Sequence, residues 1–182
     1  MRAALFGGCL LLAGCGTPAA MGPAALPPPP GTVLVPAAVE TVVADNPTVD
    51  ADDPVLWRDP ADRNRALWIG TDKSIGLYVH GMDGKVRQFF ADGPMNNVDQ
   101  RSLSVGGRPM VLVAAAERAR FGIMTWLLDP STLRLERWGF LPVSADFGEP
   151  YGFCMGQFRG ETLLIPNNKD CLLYTSPSPR DS

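Results

Sequence analysis

One feature narrows the possible folds more than any other: between residues 39 and 170, short β-branched or aromatic runs recur in sets of four, with a period of about 45 residues. The first set is read at 54–57, 66–70, 76–79 and 86–90, and the second at 101–105, 110–115, 123–128 and 133–138. A third set opens at 151–156 and 162–165. Met82-Asp83-Gly84-Lys85 has the Asp-Gly composition of a hairpin turn, and Asp129-Pro130-Ser131-Thr132 is also a turn sequence. A lone four-stranded unit leaves both apolar faces in water, so such units must stack. The pattern predicts an all-β chain forming a partial β-propeller, with about two and a half four-stranded antiparallel blades. An open β-sandwich of unrelated strands is the competing pattern.

The ends read differently. Met1-Arg2 gives a positive start, residues 3–12 are small and apolar, and that run is too short for a permanent membrane span. Leu12-Ala13-Gly14-Cys15 is similar to the lipobox of bacterial lipoproteins, which implies a signal peptide at 1–14 and a lipid anchor on Cys15. The alternative is an ordinary signal cut near Ala19-Ala20; either way the protein is expected to be exported. Gly16 is not the Asp associated with inner-membrane retention, so the envelope location expected is the outer membrane. Residues 15–38 are rich in Pro, Ala and Gly and read as a semi-extended tether. Residues 171–182, beginning Cys-Leu-Leu-Tyr-Thr-Ser-Pro-Ser-Pro, are similar to a translated sequencing-library adapter and read as non-native; a disordered natural tail is the alternative. Residues 39–170 are therefore expected to be the N-terminal part of a propeller, inactive alone.

Of four cysteines, Cys9 would leave with the signal, Cys15 would be acylated and Cys171 lies in the tail. Cys154 then has no disulfide partner. The net charge of −3, with no Lys/Arg cluster, argues against a nucleic-acid partner, and a monomer is expected.

Polar residues return at similar places in each set: Asp53 with Lys73, Asp99 with Arg118, and Tyr151 with Lys169. Equivalent positions on successive blades converge on one face around the axis, which would aim Lys73, Arg118 and Lys169 at one region near Asp52, Asp53, Asp99 and Asp170. Any one of these, taken singly, is an ordinary solvated strand end. Three cations in phase suit an oxyanion, and hard carboxylate oxygens suit the metal it brings. His80 is the sole histidine and Cys154 stands alone, so zinc or thiol chemistry lacks its parts. The oxygen-rich set favours Ca²⁺.

At these residues the chain resembles the β-propeller phytases. The resembling stretches are Asp50-Ala51-Asp52-Asp53-Pro54-Val55-Leu56-Trp57, Ile69-Gly70-Thr71-Asp72-Lys73, Asn96-Asn97-Val98-Asp99 with Arg101, Glu117-Arg118, Glu149-Pro150-Tyr151-Gly152-Phe153 and Asn168-Lys169-Asp170. The resemblance implies a propeller of an expected six blades and a calcium-dependent phosphomonoesterase of the 3-phytase type that takes phytate as its calcium complex. Lys73, Arg118 and Lys169 would stabilise charge on the phosphoryl group and Tyr151 would orient it. Asp52, Asp53, Asp99 and Asp170 would hold calcium, and Asn96, Asn97 and Arg101 would bind substrate. Glu40 aligns with a calcium-binding Glu of the family, and Gly148 stands where some members carry a substrate-binding Asn. Two rivals remain: a non-catalytic envelope propeller acting as a scaffold, and a propeller lactonase, which would have no use for three added cations.

Overall fold

The computed structural model describes residues 27–41 and 50–170; Cys15, the leader at 1–14 and the tail at 171–182 lie outside the described residues. Two compact units are distinguished, Met1–Pro36 and Ala37–Ser182. In the first, the described prolines are exposed and a turn closes where Thr32 donates to the Pro29 carbonyl oxygen. Among the described residues there is no helix long and apolar enough to cross a membrane.

The second unit is built from strands. β1 (Ala51–Arg58), β2 (Ala66–Asp72), β3 (Gly76–Gly81) and β4 (Val86–Phe90) form one antiparallel sheet in sequence order. β5 (Met95–Val105), β6 (Arg108–Glu117), β7 (Gly122–Asp129) and β8 (Arg134–Pro142) form a second of the same design. β9 (Pro150–Phe158) and β10 (Glu161–Asn168) pair as a third. These are blades of a propeller: β1 lies against β5 and β5 against β9, so the first strand of each sheet is innermost.

Apolar burial explains the stacking. Leu67, Ile69, Leu77 and Val79 of the first blade close on Val111, Val113, Ala115, Trp126 and Leu128 of the second. Every one of them is nearly or fully inaccessible to water, and each buried Val, Leu or Ile side chain among them contributes roughly 1.5–3 kcal/mol. The opposite face of the second blade, through Leu112, Ala114, Ala116 and Ile123, packs on Phe153 and Met155 of β9. Alternation along β6 thus feeds two cores at once, which is why Arg108–Glu117 has a long apolar run rather than a polar outer face.

The turns carry the expected chemistry. Gly84 sits at φ +76° between β3 and β4, where a side chain would also collide with the Glu40 carbonyl oxygen. Asp129 caps its own turn by accepting from the amide and hydroxyl of Ser131, at 2.8 and 2.6 Å. β5 begins at Met95, six residues before the run read from sequence. Asn96, Asn97 and Asp99 hid it, because their polar side chains are used between blades rather than in water.

Candidate functional site

Each inner strand opens with the same irregularity. The ladder shifts register between Ala51 and Pro54 in β1 and between Met95 and Val98 in β5, and opposite Pro166 and Asn168 in β9. A bulge of this kind re-aims the residues inside it. The bulged pairs are Asp52-Asp53, Asn96-Asn97 and Tyr151-Gly152, all within the expected site. By register Asp52, Asn96 and Tyr151 are the equivalent positions, since Ala51, Met95 and Pro150 pair with Asp72, Glu117 and Asn168. This corrects the equivalence of Asp53, Asp99 and Tyr151 drawn from sequence spacing, which could not count the extra bulge residue.

The cations are in phase at the level of single backbone bonds. Lys73, Arg118 and Lys169 each directly follow the second strand of a blade, and their amides donate to the carbonyl oxygens of Asp50, Pro94 and Glu149 at 2.9, 3.0 and 2.9 Å. The preceding residue organises each loop. Asp72 Oδ1 accepts from the amides of Ser74 and Ile75 (2.7 and 3.2 Å), while Glu117, fully buried, accepts from those of Ala119 and Arg120 (3.1 and 2.7 Å). Asn168 instead donates to the Phe147 carbonyl oxygen.

The side chains meet around one ring. The Arg118 guanidinium lies 5.4 Å from the Tyr151 ring centre and the Lys169 ammonium 5.8 Å from it, close enough for cation–π attraction. Glu149 bridges the same two cations, with Oε1 2.6 Å from Arg118 and Oε2 3.4 Å from Lys169. The hydrogen bond from Arg118, with lesser help from Lys169, holds the Glu149 carboxyl below its ordinary value against an opposing effect of burial. Lys73 pairs with Asp52 at 2.8 Å, and that bond raises the ammonium above its usual value, with smaller contributions from Tyr151 and Asp50. Glu149 was given no role by the sequence, although it opens the Glu149-Pro150-Tyr151-Gly152-Phe153 stretch that carries the resemblance.

The expected carboxylates do not gather. Asp52 is paired with Lys73. Asp53 Oδ2 accepts from Asn97 Nδ2 at 3.1 Å and the Val98 amide at 3.0 Å, tying β1 to β5. Asp99 and Arg101 pair with one another at 2.6 Å and both reach the backbone of β9. Asp170 is exposed in the turn after Lys169. Asn96 donates to Asn97 Oδ1 and to the Tyr151 carbonyl oxygen, both at 2.9 Å. Among the described residues, no three His, Cys, Asp or Glu side chains are grouped so as to hold a metal ion. Gly148 adopts φ +81°, a left-handed conformation that Asn tolerates better than most residues, and a Cβ there would have only Asn168 Nδ2 nearby, at 3.9 Å.

The phytase family model matches residues 23–161. The chain belongs to the phytase family. Over 110 residues it is 30% identical to a 3-phytase of Bacillus subtilis (strain 168). That alignment covers 58% of this chain and 29% of the relative, so the chain spans under a third of the curated protein it matches. The matched family stretch takes in Lys73, Arg118 and Tyr151 and stops before Lys169.

Proposed function

We propose that these blades open a calcium-dependent propeller that removes phosphate from phytate by attack of water, with no covalent intermediate. The observation that carries this is the placement of Lys73, Arg118 and Lys169 at one repeated backbone position, two of them flanking Tyr151. Phosphoryl transfer needs little from a protein beyond positioning and neutralisation of the equatorial oxygens. Arg118 supplies a planar fork suited to two phosphate oxygens, and the lysines supply point charges. Tyr151 supplies a hydroxyl to orient the phosphoryl group. Glu149 holds Arg118 and Lys169 in place before an anion arrives, and its carboxylate must then share them with phosphate. Water oxygen bonds to phosphorus as the bond to the inositol oxygen breaks, and that oxygen takes a proton.

Asp52, Asp53 and Asp170 offer hard oxygen donors of the kind that calcium takes. Calcium, when bound, would neutralise phosphate oxygens and make water a better nucleophile. The described strands amount to about two and a half blades, and the relative is longer, so turnover is proposed to need further blades. The lipobox supports attachment of the protein to the cell envelope through Cys15.

The test is release of phosphate from phytate with Ca²⁺ and after chelation, by the 182-residue chain and by the chain extended with the downstream blades of a relative. Calcium-dependent release by the extended protein is expected. Release indifferent to a strong chelator would contradict the metal requirement, and calcium-bound propeller without any release would favour the scaffold reading.

A further inference from the structure

We infer that Asp99 and Arg101 are positioning residues, which clamp β9 by its backbone and thereby hold Tyr151 between Arg118 and Lys169. The inference deepens the proposed site and rests on that reading for its kinetic arm alone.

Asp99 Oδ2 accepts from the Met155 amide at 2.7 Å, and the Arg101 guanidinium donates to the Met155 carbonyl oxygen. One residue of β9 is thus held through both of its backbone groups. The clamp is itself stiffened: Asp99 Oδ1 accepts from Arg101 Nη1 at 2.6 Å and from the Gln100 amide at 2.7 Å, while Arg101 Nη1 also donates to the Gln100 carbonyl oxygen at 2.6 Å. Four residues back along β9, Asn96 bonds the Tyr151 carbonyl oxygen. Between these two points lie about 13 Å of extended chain, and the bulge that aims Tyr151 sits at one end of them. An extra residue in a strand loosens its register, so fixing the chain at the bulge and again at Met155 determines where the tyrosine ring points.

The same geometry argues against the other roles expected for this pair. A calcium ion on Asp99 would sit beside a guanidinium already bonded to the carboxylate, and like charges at such range repel strongly. Arg101 has its fork committed to Asp99 and to β9, leaving it poorly placed to grip phosphate. Only a planar fork spans both partners, so a lysine keeps the charge and loses the clamp.

The experiment compares Arg101→Lys, Asp99→Asn and a control, Gln157→Ala, in the full chain and in the blade-extended protein. Gln157 also links β9 to β5, bonding the Ser102 carbonyl oxygen at 3.3 Å, but it is exposed and lies far along the strand from Tyr151. Hydrogen exchange read on the peptide spanning Pro150–Phe158 should accelerate roughly tenfold in Arg101→Lys and Asp99→Asn, and change less than about twofold in Gln157→Ala. Phytate hydrolysis should lose kcat by roughly tenfold in the two clamp variants, with KM and the calcium concentration for half-maximal rate within about twofold of the parent. Unaltered exchange in both clamp variants overturns the clamp whether or not phytate is hydrolysed. Accelerated exchange with unaltered kcat overturns the positioning role, and a large shift in calcium requirement for Asp99→Asn returns that residue to the metal.

Discussion

The two ends of the blades use charge in different ways. At the hairpin end, the ion pairs are one to one: Arg108 with Asp129 at 3.0 Å and Arg87 with Asp83 at 2.9 Å, both arginines at least half exposed. Arg87 and Asp83 close the turn between β3 and β4, Arg108 and Asp129 link β6 to β7, and each pair is complete within its own blade. At the opposite end Arg118 and Lys169, from different blades, share Glu149 and face one ring. Exposed one-to-one pairs of the first kind contribute little, about 0–1 kcal/mol. Charges that share a counter-ion across blades leave net positive potential for an incoming anion. The lesson is that phase in the repeat, rather than the number of charges, separates a binding site from ordinary surface.

The sharpest way to break this contrast is substitution at both ends. Lys73→Ala, Arg118→Ala and Lys169→Ala, each in the blade-extended protein, are expected to cut phytate turnover by roughly tenfold or more. Arg108→Ala, which removes an equal charge at the hairpin end, should stay within about twofold. Equal losses at the two ends would show that only overall charge matters.

A second effect is on stability and its dependence on pH. Glu149 is held below the ordinary carboxylate value in the folded chain, so its pairs stabilise at pH values above the unfolded value and are lost as pH falls through the depressed one. Glu149→Gln should therefore lower stability by about 1 kcal/mol near neutral pH, and the difference should close in acid. Thermal unfolding of both proteins across pH 3–8, in roughly half-unit steps, checks this; a difference independent of pH would assign the loss to packing.

The smallest effect expected is that of Gly148→Asn. With φ +81° and open space around the added Cβ, the change in stability should be under about 1 kcal/mol, and KM for phytate should fall by roughly twofold. A raised KM would mean that the side chain obstructs the substrate rather than contacting it.

Much of this was legible in the sequence, and what was not has physical causes. The blades were visible because β-branched runs and turn residues are local signals, as with the Asp83-Gly84 hairpin. Lys73, Arg118 and Lys169 were visible because a residue just after a strand keeps its place in the repeat. The inner bulges were not, since a bulge is a property of pairing, and Asp52 rather than Asp53 therefore matches Tyr151. Asp99 was read as a metal ligand from its place in the repeat and in the Asn96-Asn97-Val98-Asp99 stretch, whereas its bond to the Met155 amide, on another blade, leaves no mark in composition. Glu149 was overlooked for the same reason: Arg118 and Lys169 come to it from different strands.

The central claim is that the three cations act on one bound phosphate. Lys73 and Lys169 have different carboxylate partners, Asp52 and Glu149, so coupling between them must pass through what lies between. The most direct measurement is a double-mutant cycle on phytate turnover with Lys73→Ala, Lys169→Ala and the pair together. Residues that act as a unit lose less together than the product of their separate losses. The account predicts a double variant several-fold more active than that product. A double variant whose loss equals the product would mean that the two lysines serve separate sites, and would contradict it.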